Sequence, residues 1–250
     1  MRRLKPVLLP LLSATVLILL LEGLKRAALL PGFIPGPFQI ALVAWHNPTL
    51  ISGNLLPTLY TATMGYLIAA AVTLAAASLG VMLHPLRGPI YSTGIVINAI
   101  PVIAAAPLLA LWLGTGGRTQ IVIAALSTQF PLLVGAMQGL ATADERQREL
   151  LHVLSASRWQ VFWYLRMPTA LPYIFAGLKV AAPLAVLGAI TSEWAGADRG
   201  IGAMMLYALF SYDIEKVWLA VLLCCGLAGS AYGLLALLEC QVITWERTRT

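Results

Sequence analysis

Charge is scarce in this sequence: Asp, Glu, Lys and Arg make up 10% of its 250 residues, against 60% hydrophobic. A soluble domain carries about 25% charged residues, so the composition excludes a water-surrounded fold and marks an integral membrane protein. Nucleotide chemistry is missing as well. No G-x-x-x-x-G-K-[ST] occurs, so the chain carries no P-loop of its own. There is no H-E-x-x-H and no G-x-S-x-G, which removes the case for zinc or serine hydrolysis. His46, His84 and His152 fall in separate connectors without metal-ligand spacing. Cys224, Cys225 and Cys240 share one apolar stretch and form no C-x-x-C, so neither a disulfide nor a metal site is indicated. The net charge of +6 comes from dispersed basic residues, which argues against nucleic acid as a partner.

What is present is a series of long apolar runs. They predict an all-α integral membrane protein, a single domain over 1–250, with six spans at about 7–30, 59–83, 90–113, 119–140, 174–191 and 217–238. The first run has no small-residue cleavage site after it and is expected to be retained. Glu22, Lys25 and Arg26 near its end snorkel or pair with one another. Pro31, Pro35 and Pro37 with Gly32 and Gly36 make the next stretch a connector, with a short interfacial helix over 38–45. The third span contains Pro101 and Pro107, and both are expected to interrupt it. No internal repeat is visible, and no ionisable residue is expected near the middle of a span.

Sidedness follows from the basic residues. Arg2, Arg3, Lys5, Arg87, Arg146, Arg148, Arg158, Arg166, Lys179, Arg247 and Arg249 fall on one side of the six-span map. Lys25, Arg26, Arg118, Arg199 and Lys216 fall on the other. The excess lies inside, which predicts that both termini are cytoplasmic.

The largest cytoplasmic stretch, 143–172, is amphipathic and organises the rest. Thr142, three residues ahead of Glu145, reads as a helix cap. Ser155-Ala156-Ser157 suits a turn followed by a fresh N-cap. Pro168 and Pro172 are expected to bound the second half. On its residues alone this is either a partner-docking loop or an amphipathic cytoplasmic loop without a partner. Its spacing resembles the cytoplasmic loop of bacterial ATP-binding-cassette importer permeases, E-A-A, three residues, G, nine residues, I-x-L-P. Glu149 takes the Glu, Ser155 the Gly, Leu165 the Ile, Met167 the Leu and Pro168 the Pro, while Leu150 and Leu151 replace the two alanines. In that family the loop docks into a groove of the ATPase, which would give Glu149, Leu150, Leu151, Ser155, Ala156, Leu165 and Pro168 a coupling role.

A second stretch, 99–116, is similar to the I-P-x-x-A-x-x-P-L-L-x-x-W-x-G-x-G segment of nitrate, sulfonate, taurine and pyrimidine-precursor importer permeases. Ile100, Pro101, Ala104, Pro107, Leu108, Leu109, Trp112, Gly114 and Gly116 match it. The same family places a Glu and a G-L-G at the end of the fifth span, and Glu193 and Gly200-Ile201-Gly202 match. The resemblance implies a type I importer permease fold that pairs with a second copy, a cytoplasmic ATPase dimer and an extracytoplasmic substrate-binding protein. No cofactor is expected in this chain, since ATP and Mg would be bound by the ATPase. Asn98, Pro101, Ser127, Gln129, Glu193, Gly200 and Gly202 are the candidates for a translocation path or gate. The polar ones also suit a plainer role, a hydrogen bond to a neighbouring helix, and for Glu193 an ion pair with Arg199 or the capping of backbone donors. The competing reading is a self-contained secondary carrier or a membrane assembly protein. A carrier would be expected to show repeats and a charged midplane.

Overall fold

A computed structural model describes the backbone of residues 5–244 and the side chains from residue 12 onward except residue 14. Arg2, Arg3, Arg247 and Arg249, used above for sidedness, lie outside the described residues. Every regular element among the described residues is helical. Helix α1 is Lys5–Arg26 and α2 is Pro37–His46. Glu22 fixes the corner between them. Its Oε1 pairs with Arg26 at 2.9 Å and its Oε2 accepts from the Phe38 N–H at 3.1 Å.

Helix α3, Pro48–Met82, begins well before the expected residue 59. Pro48 sits in the first turn, where its missing N–H is no loss. Pro57 is held inside the helix rather than ending it. Around it Asn54, Thr58 and Thr61 donate to the carbonyls of Leu50, Asn54 and Pro57, one turn back. The carbonyl that Pro57 itself leaves without a backbone donor is that of Gly53, one turn back.

The third run divides into α4, His84–Ala99, and α5, Val102–Leu113, bent by 94°. Only Pro101 makes this break. It forces Ile100 into extended backbone (φ −72°, ψ 121°). Pro107 remains inside α5, a correction to the expectation that both prolines interrupt the run. Helix α6, Gly117–Ala141, follows. Next come the short α7, Glu145–Val153, and α8, Arg158–Val161. A π turn, Phe162–Arg166, joins α8 to α9, Met167–Glu193. Residues 158–193 therefore form one continuous rod. Pro168 falls in the first turn of α9, and Pro172 lies inside it. The second half of the 143–172 stretch is thus the base of a span and not a loop. Helices α10, Ile201–Phe210, and α11, Ile214–Val242, complete the chain.

By length and apolarity four helices are able to cross a membrane, and the α4–α5 pair makes a fifth if its bent halves count as one span. The six-span map differs there by the first run. Its helix, α1, exposes the side chains of Leu12, Val16, Leu17, Ile18, Leu19 and Leu20.

Helices α6 and α9 form the centre, with α3 packed on both. Lipid tails are as apolar as leucine, so helices in a membrane associate through close contact rather than through a hydrophobic driving force. Gly135 and Gly177 make that contact. A Cβ on Gly135 would lie 2.7 Å from the Tyr173 carbonyl, and one on Gly177 would lie 2.8 Å from the Pro131 carbonyl. The inner end of this interface is filled by Leu133, Met137, Leu140, Phe162 and Ile174. At the outer end Ile40, Ile201, Met204 and Leu219 join α2, α10 and α11.

Candidate functional site

The end of the bundle that the charge asymmetry assigns to the cytoplasm presents α7. Its N-cap is Asp144, whose side chain accepts from the Arg146 N–H at 3.1 Å. Thr142, expected to cap it, belongs to the end of α6 and donates to the Gln138 carbonyl at 2.7 Å. The geometric reason is one of reach. Residues 142–144 are non-helical, so the residue adjacent to the first turn supplies the cap. The ion pair on this helix joins Glu145 and Arg148.

The turn after α7 explains the glycine position of the motif. Ser155 has φ +55°, in the left-handed region. The Ser155 N–H donates to the His152 carbonyl and the Ala156 N–H to that of Leu151, each at 2.9 Å. These bonds close the helix end as a glycine would. Ser157 then caps α8 in a reciprocal box with Gln160: Gln160 N–H to Ser157 Oγ at 3.2 Å, Ser157 N–H to Gln160 Oε1 at 2.8 Å. The result holds α7 as a discrete finger.

That finger is apolar where it meets water. Leu150 is 60% exposed, Val153 80% and Leu154 67%, and Glu149 is exposed beside them. Leu151 and Ala156 are half-buried, and Leu165 is buried in the rod. The two leucines that replace the motif's alanines therefore differ: Leu150 faces outward and Leu151 partly inward. A groove of about 1020 Å³ separates the finger from the α3–α4 corner, lined by Leu83, His84, Glu149, His152 and Arg166 among others.

The outer end is built in the opposite way. Glu193 is 1% exposed and Thr58 fully buried. Thr58 Oγ1 donates to Glu193 Oε1 at 2.6 Å, and the Gly202 N–H donates to Oε2 at 2.7 Å. The Ile201 N–H donates to Thr58 Oγ1 at 2.8 Å, and the Gly200 N–H to Asn54 Oδ1 at 3.1 Å. Three consecutive N–H groups opening α10 are thus satisfied by α3 and α9, which places a carboxylate at a helix N-terminus, where the dipole favours it. Glu193 caps backbone donors, and its side chain makes no ion pair with Arg199 among the described residues. Gly200 (φ +133°) leaves room for the carboxylate, because a Cβ there would fall on Glu193 Cδ. Asn54 and Thr58 were not singled out from the sequence. Their one legible signal is the one-turn spacing beside Pro57.

The remaining path candidates do not converge. Gln129 Nε2 donates to the Gly94 carbonyl at 3.2 Å and lines an apolar groove of about 520 Å³ between α3, α4 and α6. Ser127 donates to the Ile123 carbonyl at 2.9 Å and lies against Gly188 of α9. Asn98 is exposed near the end of α4, and Pro101 is exposed at the bend. The structure also corrects the expectation of uncharged span centres. Lys179, in the middle of α9, pairs with Glu239 of α11. No group of His, Cys, Asp and Glu among the described residues is arranged to hold a metal.

On the far side of α11 from this pair, the Asp213 carboxyl caps the helix. A hydrogen bond from Lys216 holds it below the usual carboxylate range.

Comparison with known proteins bears directly on this arrangement. Residues 72–242 match the family model of the binding-protein-dependent transport system inner membrane component. The chain is 27% identical to a formylaminopyrimidine transport permease protein of Halalkalibacterium halodurans over 248 residues, covering 99% of both chains. It is 25% identical to a putative aliphatic sulfonates transport permease protein of Bacillus subtilis, covering 85% of this chain and 78% of that one. A crystal structure of an amino acid ABC transporter with histidines shares the fold: TM-score 0.64, 17% identity, 81% of this chain and 98% of that one. The matched region runs from mid-α3 to the end of α11 and includes the α7 finger, Glu193 and Gly200–Gly202, whereas Asn54 and Thr58 lie before it. The chain belongs to the binding-protein-dependent transport system inner membrane component family, as a multi-pass permease of the ABC transporter type.

Proposed function

We propose that this permease imports a small anionic or heterocyclic solute with energy supplied by a separate ATPase dimer through residues 149–168. The observation that carries this reading is the α7 finger: a capped, rigid helix end whose Leu150, Val153 and Leu154 stand in water. Exposed apolar groups of this kind mark a protein contact, and an amphipathic helix laid in a groove is a recurrent mode of recognition. ATP and Mg belong to the ATPase, and an extracytoplasmic binding protein delivers the solute. A second copy of the chain completes the pathway. The names of the relatives, formylaminopyrimidine and aliphatic sulfonate permeases, support the solute class. Helix α1 supplies the sixth span, with both termini cytoplasmic. Reporters fused after Thr250 and inserted in 114–118 test that map, and equal sidedness overturns it.

Glu193 with Gly200 and Gly202 forms the outer gate, held shut by the Thr58 hydrogen bonds. ATP binding closes the ATPases, the finger moves, and the pathway opens outward, a transition between two states that both ends bias. The test is reconstitution with candidate ATPase and binding-protein subunits from the same genome, scanning sulfonates, nitrate, taurine and pyrimidines for stimulation of ATP hydrolysis. Stimulation by one of these classes supports the reading. Solute uptake that persists without any ATPase removes it.

A further inference from the structure

The π turn over Phe162–Arg166 holds one residue more than an α turn would. Its closing bond runs from the Met167 N–H back to the Phe162 carbonyl. A π turn closes with i→i+5 bonds, so it takes one extra residue to advance the chain as far as an α turn does. The packing around Phe162 shows what that residue achieves. Phe162 shares one buried cluster with Ala170 and Ile174 of α9 and with Leu133, Met137 and Leu140 of α6. Along a plain α-helix, turning by about 100° per residue, Phe162 would stand about 80° from Ala170 and about 120° from Ile174. With one residue absorbed by the π turn it stands within about 20° of both. Pro168, in the first turn of α9, accounts for the place of the turn. It has no N–H to give the Tyr164 carbonyl, and in α geometry its ring crowds that carbonyl. The α register therefore has least to keep at this point.

The side chains agree with this register. Phe162 is 4% exposed and Leu165 7%, while Trp163 and Tyr164 between them are 47% and 77% exposed. Arg166 ends the turn, and its Nη1 donates to the Val81 carbonyl of α3 at 3.2 Å. The turn is thus fixed to the bundle at two points. From Phe162 back to the finger every joint is closed. The Phe162 N–H donates to the Arg158 carbonyl, the Ser157–Gln160 box caps α8, and the Ala156 N–H donates to the Leu151 carbonyl. Trp159 stacks on Phe162 with ring centroids 6.1 Å apart. A segment bonded at each joint carries the azimuth of Phe162 to α7.

We propose that Phe162 is a positioning residue for the ATPase contact: the extra residue of the π turn keeps its ring on the core face, and this fixes the direction in which α7 presents Leu150 and Val153. It rests on reading α7 as the docking element. A change of register by one residue ahead of Phe162 would swing the finger by up to about 100° around the rod axis, out of line with a partner's groove.

The test reads the finger directly, in the full-length permease in detergent and without any ATPase. Spin labels are placed at Gln147→Cys on α7 and Leu86→Cys on the α3–α4 corner, in a chain carrying Cys224→Ala, Cys225→Ala and Cys240→Ala. Their separation is measured by double electron–electron resonance. Co-purification of a candidate ATPase subunit from the same genome is scored on the unlabelled variants. Deletion of Tyr164 removes the extra residue, so the turn should close to an α turn with Phe162 still on the core face and the label distance unchanged. One alanine inserted between Val161 and Phe162 leaves the anchor in place but should rotate the finger, shifting the distance and lowering ATPase retention about tenfold. Phe162→Ala should broaden the distance distribution, and Phe162→Leu, which refills the cluster, should narrow it again. A distance that shifts as far in the deletion variant as in the insertion variant overturns the proposal, as does a distribution that stays narrow in Phe162→Ala. Should Phe162→Ala fail to accumulate, the deletion and insertion pair decides. Distances as expected, with the ATPase fully retained by the insertion variant, would instead overturn the docking role of α7.

Discussion

The two ends of this permease solve opposite problems. The α7 finger leaves apolar groups exposed, Val153 at 80%, and satisfies its backbone locally through Asp144, Ser155 and Ser157. The outer lock buries a carboxylate and a hydroxyl and satisfies them across three helices, α3, α9 and α10. The finger is complete as a helix and incomplete as a surface. The lock is complete in itself. A surface awaiting a partner contributes little to the stability of the isolated chain, whereas a closed buried network contributes much, because removing one member strands the others.

Substitutions at the two ends should separate on that basis. The largest loss is expected from Glu193→Ala, which leaves the Gly202 N–H without its acceptor and the Thr58 hydroxyl with the Asn54 carbonyl alone, and should cost about 3 kcal/mol. Thermal unfolding in detergent checks it, and Glu193→Gln, which keeps an acceptor oxygen, should recover part of the loss. Gly202→Val is a poor probe of gating, since a Cβ there would sit 2.6 Å from the Ile190 carbonyl. Thr58→Val is the gentler test. It should lower stability less than Glu193→Ala, by about 1–2 kcal/mol, and should raise solute leak in reconstituted vesicles if the network is a gate. An unchanged leak would leave the lock a purely structural joint.

An intermediate effect is expected inside the membrane. Lys179→Met strands Glu239 and should cost about 2 kcal/mol, discounted for the partial exposure of both groups. Lys179→Met with Glu239→Gln should return to near the native melting point. If the double variant is no better than the single one, the pair is not what binds α11 to α9 at this level.

The finger should give the smallest stability changes and the largest functional one. Ser155→Gly relieves a left-handed φ and should stabilise by up to about 1 kcal/mol, as read from chemical denaturation. Leu150→Asp with Val153→Asp should shift stability by less than about 0.5 kcal/mol, because both side chains already lie in solvent. The same pair should abolish co-purification of the ATPase. Full retention of the ATPase would move the docking site to the His84–Arg87 corner. A large loss of stability from this pair would erase the contrast between the two ends.

Much of this was legible in the chain. The membrane class follows from composition, an additive property, and the Glu193–Gly202 neighbourhood was marked by the family resemblance. The turn at Ser155 was legible as a turn, while its left-handed φ of +55° came only from the structure. The α7 cap was misplaced from Asp144 to Thr142, because a capping pattern does not say where the preceding helix ends. The extent of α3 was hidden by Pro57, since a proline removes one backbone hydrogen bond but does not by itself say whether the packing around it keeps the helix going.

The sequence alone determined that the chain lives in a membrane, carries no P-loop motif and holds an amphipathic segment between its apolar runs. These conclusions need only the solvation preference of each residue and its chain neighbours. The tertiary structure decided what depends on residues far apart in the chain. It joined Glu193 to Thr58 across 135 positions and Lys179 to Glu239 across 60, and left Ser127 and Gln129 facing different helices. Charge pairing and buried hydrogen bonding act over a few ångströms, so their partners are set by how helices pack, and no local pattern contains that distance.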